Sequence, residues 1–94
     1  MKIVAQKKVE GCIEGTNVYD VFFEESINLN FIDFLSNYGK LIQNDDIEKP
    51  FFKIIVKGKY TIKGSIGNKT LRILLPDSDC KILLDEIIGL IENY

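Results

Sequence analysis

The chain has 94 residues, the length of one domain with a single modest core. Hydrophobic residues make up 46% and charged residues 28%, a globular balance that argues against disorder, and no apolar run approaches the roughly 20 residues of a membrane helix. There is no histidine, which excludes His-based acid–base catalysis, Ser–His or Cys–His nucleophile pairs and phosphohistidine chemistry, and two cysteines cannot make a four-ligand zinc site.

The formal net charge of −2 hides a strong segregation. Residues 1–49 carry five Lys and nine acids, residues 50–75 carry six basic residues and no acid, and residues 76–94 carry Lys81 and five acids. Half of the positive charge therefore lies in "FFKIIVKGKYTIKGSIGNKTLRILLP", Phe51 to Pro76. The acidic balance disfavours a general nucleic-acid coat, while the internal block keeps a local anion-binding face in play. The opening "MKIVAQKK" lacks the apolar core of a secretory leader, so the chain reads as cytoplasmic. In that compartment Cys12 and Cys80 read as small hydrophobes. A thiol-redox pair is the weaker alternative, and it needs the fold to bring the two within disulfide reach.

In chain order, residues 2–9 alternate, with Ile3, Ala5 and Val9 on one side and Lys2, Gln6 and Lys8 on the other, as in a half-buried strand. "EGCIEGTN" is turn-like, and "VYDVFFEE" (18–25) is a second strand, completing an N-terminal hairpin. In "SINLNFIDFLSNYGKLIQ", Phe31, Phe34, Leu35, Tyr38, Leu41 and Ile42 recur at helical spacing, with Asn30 as the cap, Asp33 near the positive end and Gly39 ending or kinking the helix. "NDDIEKP" is a polar loop in which Pro50 forbids helix.

The basic stretch reads as a three-stranded antiparallel meander, 51–56, 60–66 and 69–75. A Lys57-Gly58-Lys59 hairpin loop sets Val56 opposite Tyr60 and Ile54 opposite Ile62. A two-residue Gly67-Asn68 turn sets Ile62 opposite Ile73 and Tyr60 opposite Leu75, and this pair of turns keeps every apolar residue on one face. "PDSDCKILLDEIIGLIENY" is a helix capped by Asp77 or Ser78, with Cys80, Leu83, Leu84, Ile87, Ile91 and Tyr94 along one side. The expected order is β-β-α-β-β-β-α in a single α+β domain spanning 1–94. It is a two-layer sandwich with both helices on one face of an antiparallel sheet.

That register puts Lys53, Lys63 and Arg72 in one row on the far face and Ile55, Thr61 and Leu74 in the next. Like charges opposite one another in a sheet are destabilising by up to about 1 kcal/mol. Solvation of the long side chains, pairing with acids of the N-terminal hairpin such as Glu24 or Glu25, or an anionic partner would offset this. Phosphate-loop chemistry is not indicated: "KGSIGNKT" lacks the required spacing and precedes a strand. Asp45, Asp46 and Glu48 read as solvated loop acids, and no nucleophile has a base and an orienting group, so the chain reads as a non-enzyme without metal or cofactor. The α-β-β-β-α part of the order is similar to a double-stranded-RNA-binding domain. Such domains carry a basic second helix, whereas here Asp77, Asp79, Asp85, Glu86 and Glu92 face a single Lys81.

Residues 18–92 together resemble an HPr-type phosphocarrier domain. The likeness is carried by "NFIDFLSNYGKLI", by "FFKIIVKGKYTIKGSIG" with its strand–"GK"–strand hairpin, and by "LRILLPDSD" with "LLDEIIGLIEN". It implies a domain whose last strand lies between its first and second, reached by a crossover over 64–69, and it puts Ser65 at the family's regulatory serine. With no His to phosphorylate, it implies a regulatory or partner-binding relative rather than a carrier.

The expected function is thus a small non-enzymatic interaction module that binds another protein through Lys53, Lys63, Arg72, Ile55 and Leu74, because charge mixed with exposed aliphatics suits a protein partner. The alternative is a nucleic-acid or anionic-ligand binder that adds Lys57, Lys59 and Lys69. Ser65 is the candidate modification site. The sequence leaves the partner's identity and the oligomeric state open.

Overall fold

The computed structural model describes residues 1–9, 17–44 and 51–94. Cys12, the turn-like "EGCIEGTN" apart from Asn17, and Asp45, Asp46, Glu48 and Pro50 of the polar loop lie outside these residues. The described residues form six strands and two helices in the order β1 (Ile3–Val9), β2 (Asn17–Phe23), α1 (Leu29–Ser36), β3 (Lys40–Asn44), β4 (Phe51–Val56), β5 (Tyr60–Ser65), β6 (Thr70–Leu75) and α2 (Cys80–Glu92). The chain is an α+β protein, with one antiparallel six-stranded sheet ordered β1-β2-β6-β5-β4-β3. The core joins Phe31, Ile32 and Leu35 of α1 and Ile87 and Ile91 of α2 to Phe52, Ile54, Ile62, Leu71 and Ile73 of the sheet, all essentially inaccessible.

The meander takes the predicted register. Val56 pairs with Tyr60, Ile54 with Ile62, and Ile62 with Ile73. Gly58 adopts φ 77 in the β4–β5 loop, and the Lys59 amide donates to the Val56 carbonyl at 3.0 Å. The β5–β6 connection is longer than the expected two residues. Its turn spans 65–68, closed by Asn68 N–H to Ser65 O at 3.2 Å, with Gly67 at the third position in the left-handed φ (87) that a type II turn requires there. The main chain of Ile27 brackets this turn, donating to Asn68 O (2.8 Å) and accepting from Gly67 N–H (2.9 Å). The connection is therefore a hairpin and not a crossover. The last strand, β6, lies between β2 and β5. The phosphocarrier resemblance implies a last strand between β2 and β4, which is not the order of this sheet.

Four local expectations are corrected. The first helix does not run to Ile42, because it ends at Asn37 and the chain re-forms as β3, which pairs Leu41 with Ile54 and Ile42 with Lys53. Gly39 explains the break: a Cβ there would lie 2.6 Å from the carbonyl oxygen of Ile55, so the chain crosses β4 at a distance only glycine permits. The α1 cap is Asn28 rather than Asn30, its side-chain oxygen accepting from the Phe31 N–H at 2.9 Å. The N-cap position of α2 is held by Asp79 rather than Asp77 or Ser78, in a left-handed conformation (φ 58) and without a side-chain cap of its own, and Asp77 accepts from the Asn17 side chain at 2.9 Å. Finally, a bulge between Ile3 and Ala5 splits the expected β1 face, leaving Ile3 packed on the core while Ala5 and Val9 share the opposite face with Phe22 and Val18.

Candidate functional site

The face of the sheet away from the core carries two rows that cross almost the whole molecule. Paired positions of neighbouring strands share a face, so the register fixes each row. The first runs Lys7, Asp20, Arg72, Lys63, Lys53 and Ile42 from β1 to β3. The second runs Val9, Val18, Leu74, Thr61, Ile55 and Lys40. All five residues expected at a partner surface, Lys53, Lys63, Arg72, Ile55 and Leu74, lie on this face and are half-buried.

The basic row contains its own acid. Arg72 Nε donates to Asp20 Oδ1 at 2.9 Å and Nη2 donates to Oδ2 at 3.1 Å, a two-pronged pair across the β2–β6 ladder. The pairing expected with Glu24 or Glu25 is thus made by Asp20. Glu24 instead lies 3.7 Å from Lys2 at an exposed edge. Asp20 went unseen in the sequence because only the β2–β6 register brings residues 52 positions apart together.

The remaining cations do not join one patch. Lys59 Nζ contacts both carboxylate oxygens of Glu86 on α2, at 3.2 and 3.1 Å, and so ties the β4–β5 loop to the helix. Lys57 is exposed on the same loop, and Lys69 sits in the 66–69 connection at the other end of the meander. A six-residue strand separates those ends by about 20 Å. Beside the Lys59–Glu86 pair, burial pushes the Tyr60 phenol up to about 12, with the charge of Glu86 and a hydrogen bond to it adding to the effect.

Among the described residues, hollows indent the outer face at both ends of the meander. One, of about 410 Å³, lies at the 65–68 turn end, with Lys63, Arg72 and Asp20 on one side, Ser65, Thr70 and Asn68 around its floor and rim, and Phe51 as a wall. It exists because two short side chains, Ser65 and Thr70, sit in adjacent strands between Phe51, the partner of Ser65, and Phe22, the partner of Thr70. The other, of about 400 Å³, lies at the β4–β5 loop end and is lined by Ile55, Leu74, Thr61, Lys57 and Pro76. The sequence signal for the first hollow was the Gly64-Ser65 pair set against Thr70 beside two cations.

Cys80 is a free, partly buried thiol packed against the core. Among the described residues, no group of three or more His, Cys, Asp or Glu could hold a metal ion, and no helix is long and apolar enough to cross a membrane. No family model matches the chain, and neither a curated protein nor a solved structure matches it.

Proposed function

We propose that this chain is a small non-enzymatic interaction module of the cytoplasm, a two-layer sandwich whose outer sheet face docks another protein. One observation carries the reading: the half-buried Leu74 and Ile55 run directly beside the charged row of Arg72, Lys63 and Lys53. Apolar contact area flanked by charge is how protein interfaces are composed. A phosphate backbone would instead favour cations without acids among them. Asp20 within the row and Glu86 on Lys59 both weigh against the nucleic-acid alternative. Following the phosphocarrier resemblance, Ser65 is the proposed modification site. A phosphate there would add about two negative charges at the wall of the hollow beside Lys63 and Arg72, and would block it.

The test is a low-salt pull-down from host lysate with three proteins: wild type, Ile55→Ser/Leu74→Ser, and Lys53→Ser/Lys63→Ser. Arg72 is left intact because it holds Asp20. A protein retained by wild type, lost by the first variant and only modestly salt-sensitive supports the reading. Nucleic acid retained by wild type, released steeply by salt and indifferent to Leu74→Ser moves the function to the anionic-ligand alternative.

A further inference from the structure

We infer that β3 is a self-recognition edge: a second copy of this chain adds its own β3 antiparallel to it, about a two-fold axis through Ile42, and continues the sheet. Three observations lead there. The first is the difference between the two ends of the sheet. Among the described residues, β1 and β3 are the end strands. β1 is protected as natural edges are, by a bulge between Ile3 and Ala5 and by Lys7 and Lys8, with Lys2 just before it. β3 keeps an unbroken five-residue register against β4, contains no proline, and carries its one charge, Lys40, at its first position. The second is apolar exposure at this end. Ile42 is 42% exposed, and so is Phe51, its diagonal neighbour across the β3–β4 ladder on the same outer face.

The third is self-complementarity. A two-fold axis that pairs strands antiparallel stands normal to the sheet, so paired residues share a face and both helix layers stay on one side. Centred on Ile42, it sets Ile42 against its own copy, Leu41 against Gln43 and Lys40 against Asn44, and no like charges oppose one another. The two Lys40 side chains then stand four residues apart along the ladder, and the two Lys53 side chains three strand spacings apart. Each separation is about 14 Å, beyond the screening length of about 8 Å at physiological salt. Pairing β3 with the β1 of another copy would instead meet the bulge and the lysines, and would leave free ends from which an open chain of molecules grows. The two-fold dimer closes, and it sets two outer faces side by side. Its ladder is only five residues long, so the association is weak.

The experiment is sedimentation equilibrium of the full chain from about 10 μM to about 1 mM, with amide spectra of the 15N-labelled protein across the same range. The expected result is a dimer with a dissociation constant on the order of 100 μM, with the Leu41, Ile42 and Gln43 amides shifting as it forms. Ile42→Glu sets a carboxylate beside Lys53 of its own chain but against a second carboxylate at the two-fold axis. It should keep the native spectrum and weaken the dimer at least about tenfold, and Ile42→Lys should weaken it likewise. Mixed one to one, the Glu and Lys variants should associate again, because opposite charges then meet at the axis. Ile42→Glu decides by itself should Ile42→Lys, beside Lys53, fold poorly. A wild type that stays monomeric to about 1 mM overturns the inference and leaves the edge to a strand of a different protein. A dimer that Ile42→Glu leaves at full strength, a mixture of two folded variants that stays monomeric, or a mass that grows past the dimer without a plateau also overturns it.

Discussion

Removing Arg72 should damage the fold as well as the basic row, and a double-mutant cycle with Asp20 measures by how much. The two side chains meet through two bonds of 2.9 and 3.1 Å, and their exposures are 36% for Arg72 and 18% for Asp20. At an effective dielectric near 20, unit charges about 4 Å apart attract by about 4 kcal/mol. Partial desolvation of both groups and the fixing of a long side chain offset most of that. Fully exposed pairs net about 0–1 kcal/mol, and breaking a buried pair costs about 3–5. A pair sheltered to this intermediate degree should couple by about 1–2 kcal/mol. Arg72→Ala leaves Asp20 without its chelating partner, while Asp20→Ala leaves Lys7, Arg72, Lys63 and Lys53 in one row without an acid. Each single substitution should therefore cost about 1–2 kcal/mol, and the double variant should be about 1–2 kcal/mol more stable than additivity predicts. The assay is urea unfolding of the four proteins at 25 °C with a common slope, repeated in high salt, where the coupling should shrink only partly because the pair is half-sheltered. A coupling below about 0.3 kcal/mol would refute the reasoning, because the pair would then be a surface contact of no consequence.

Three further outcomes are expected. Gly39→Ala should destabilise by about 1–3 kcal/mol and selectively loosen β3, since its Cβ would press on the Ile55 main chain, which cannot swing aside as a side-chain tip could; urea midpoints and amide exchange at Leu41 and Gln43 check this. Gly64→Val should cost at least as much, because even a Cβ at this position stands 3.0 Å from both Phe52 and Leu71 in the core, and a loss under about 0.5 kcal/mol would contradict the packing. Tyr60 carries a pH signature. Its folded value is raised from 10.0 to about 12, so the associated stability is fully present below pH 10 and is lost as pH rises through 12, and Tyr60→Phe should flatten stability across that window relative to wild type.

The parts of the fold legible in the sequence were those dictated by local rules. Gly58 and the alternation on either side of it set the β4–β5 register, and the 67–68 centre set that of β5–β6, so the sequence alone aligns Lys53, Lys63 and Arg72. β3 was hidden because Leu41 and Ile42 continue the three-and-four spacing of α1, and five residues are too few for alternation to assert itself against it. What broke the helix was a tertiary contact, Gly39 against Ile55, that no local pattern encodes. The bulge at Val4 and the cap at Asn28 are single-residue choices among near-equivalent neighbours. Asp20 and the hollow belong to a third kind. The first arises where β2 meets β6, 52 positions apart in the chain, and the second where Ser65 and Thr70 lie between their cross-strand partners Phe51 and Phe22.

The strand order carries a consequence for how the sheet assembles. Among the described residues, β3 to β6 form one block of neighbours joined in sequence, β1 and β2 form another, and the β2–β6 ladder is the seam between them. The larger block closes through short connections, so it can gather early, whereas the seam closes a loop of some fifty residues and must wait for it. The Asp20–Arg72 clasp lies midway along that seam. Rare openings of the native sheet should part there first, and amides of Tyr19, Val21 and Ile73 should then exchange together, ahead of those buried in the meander.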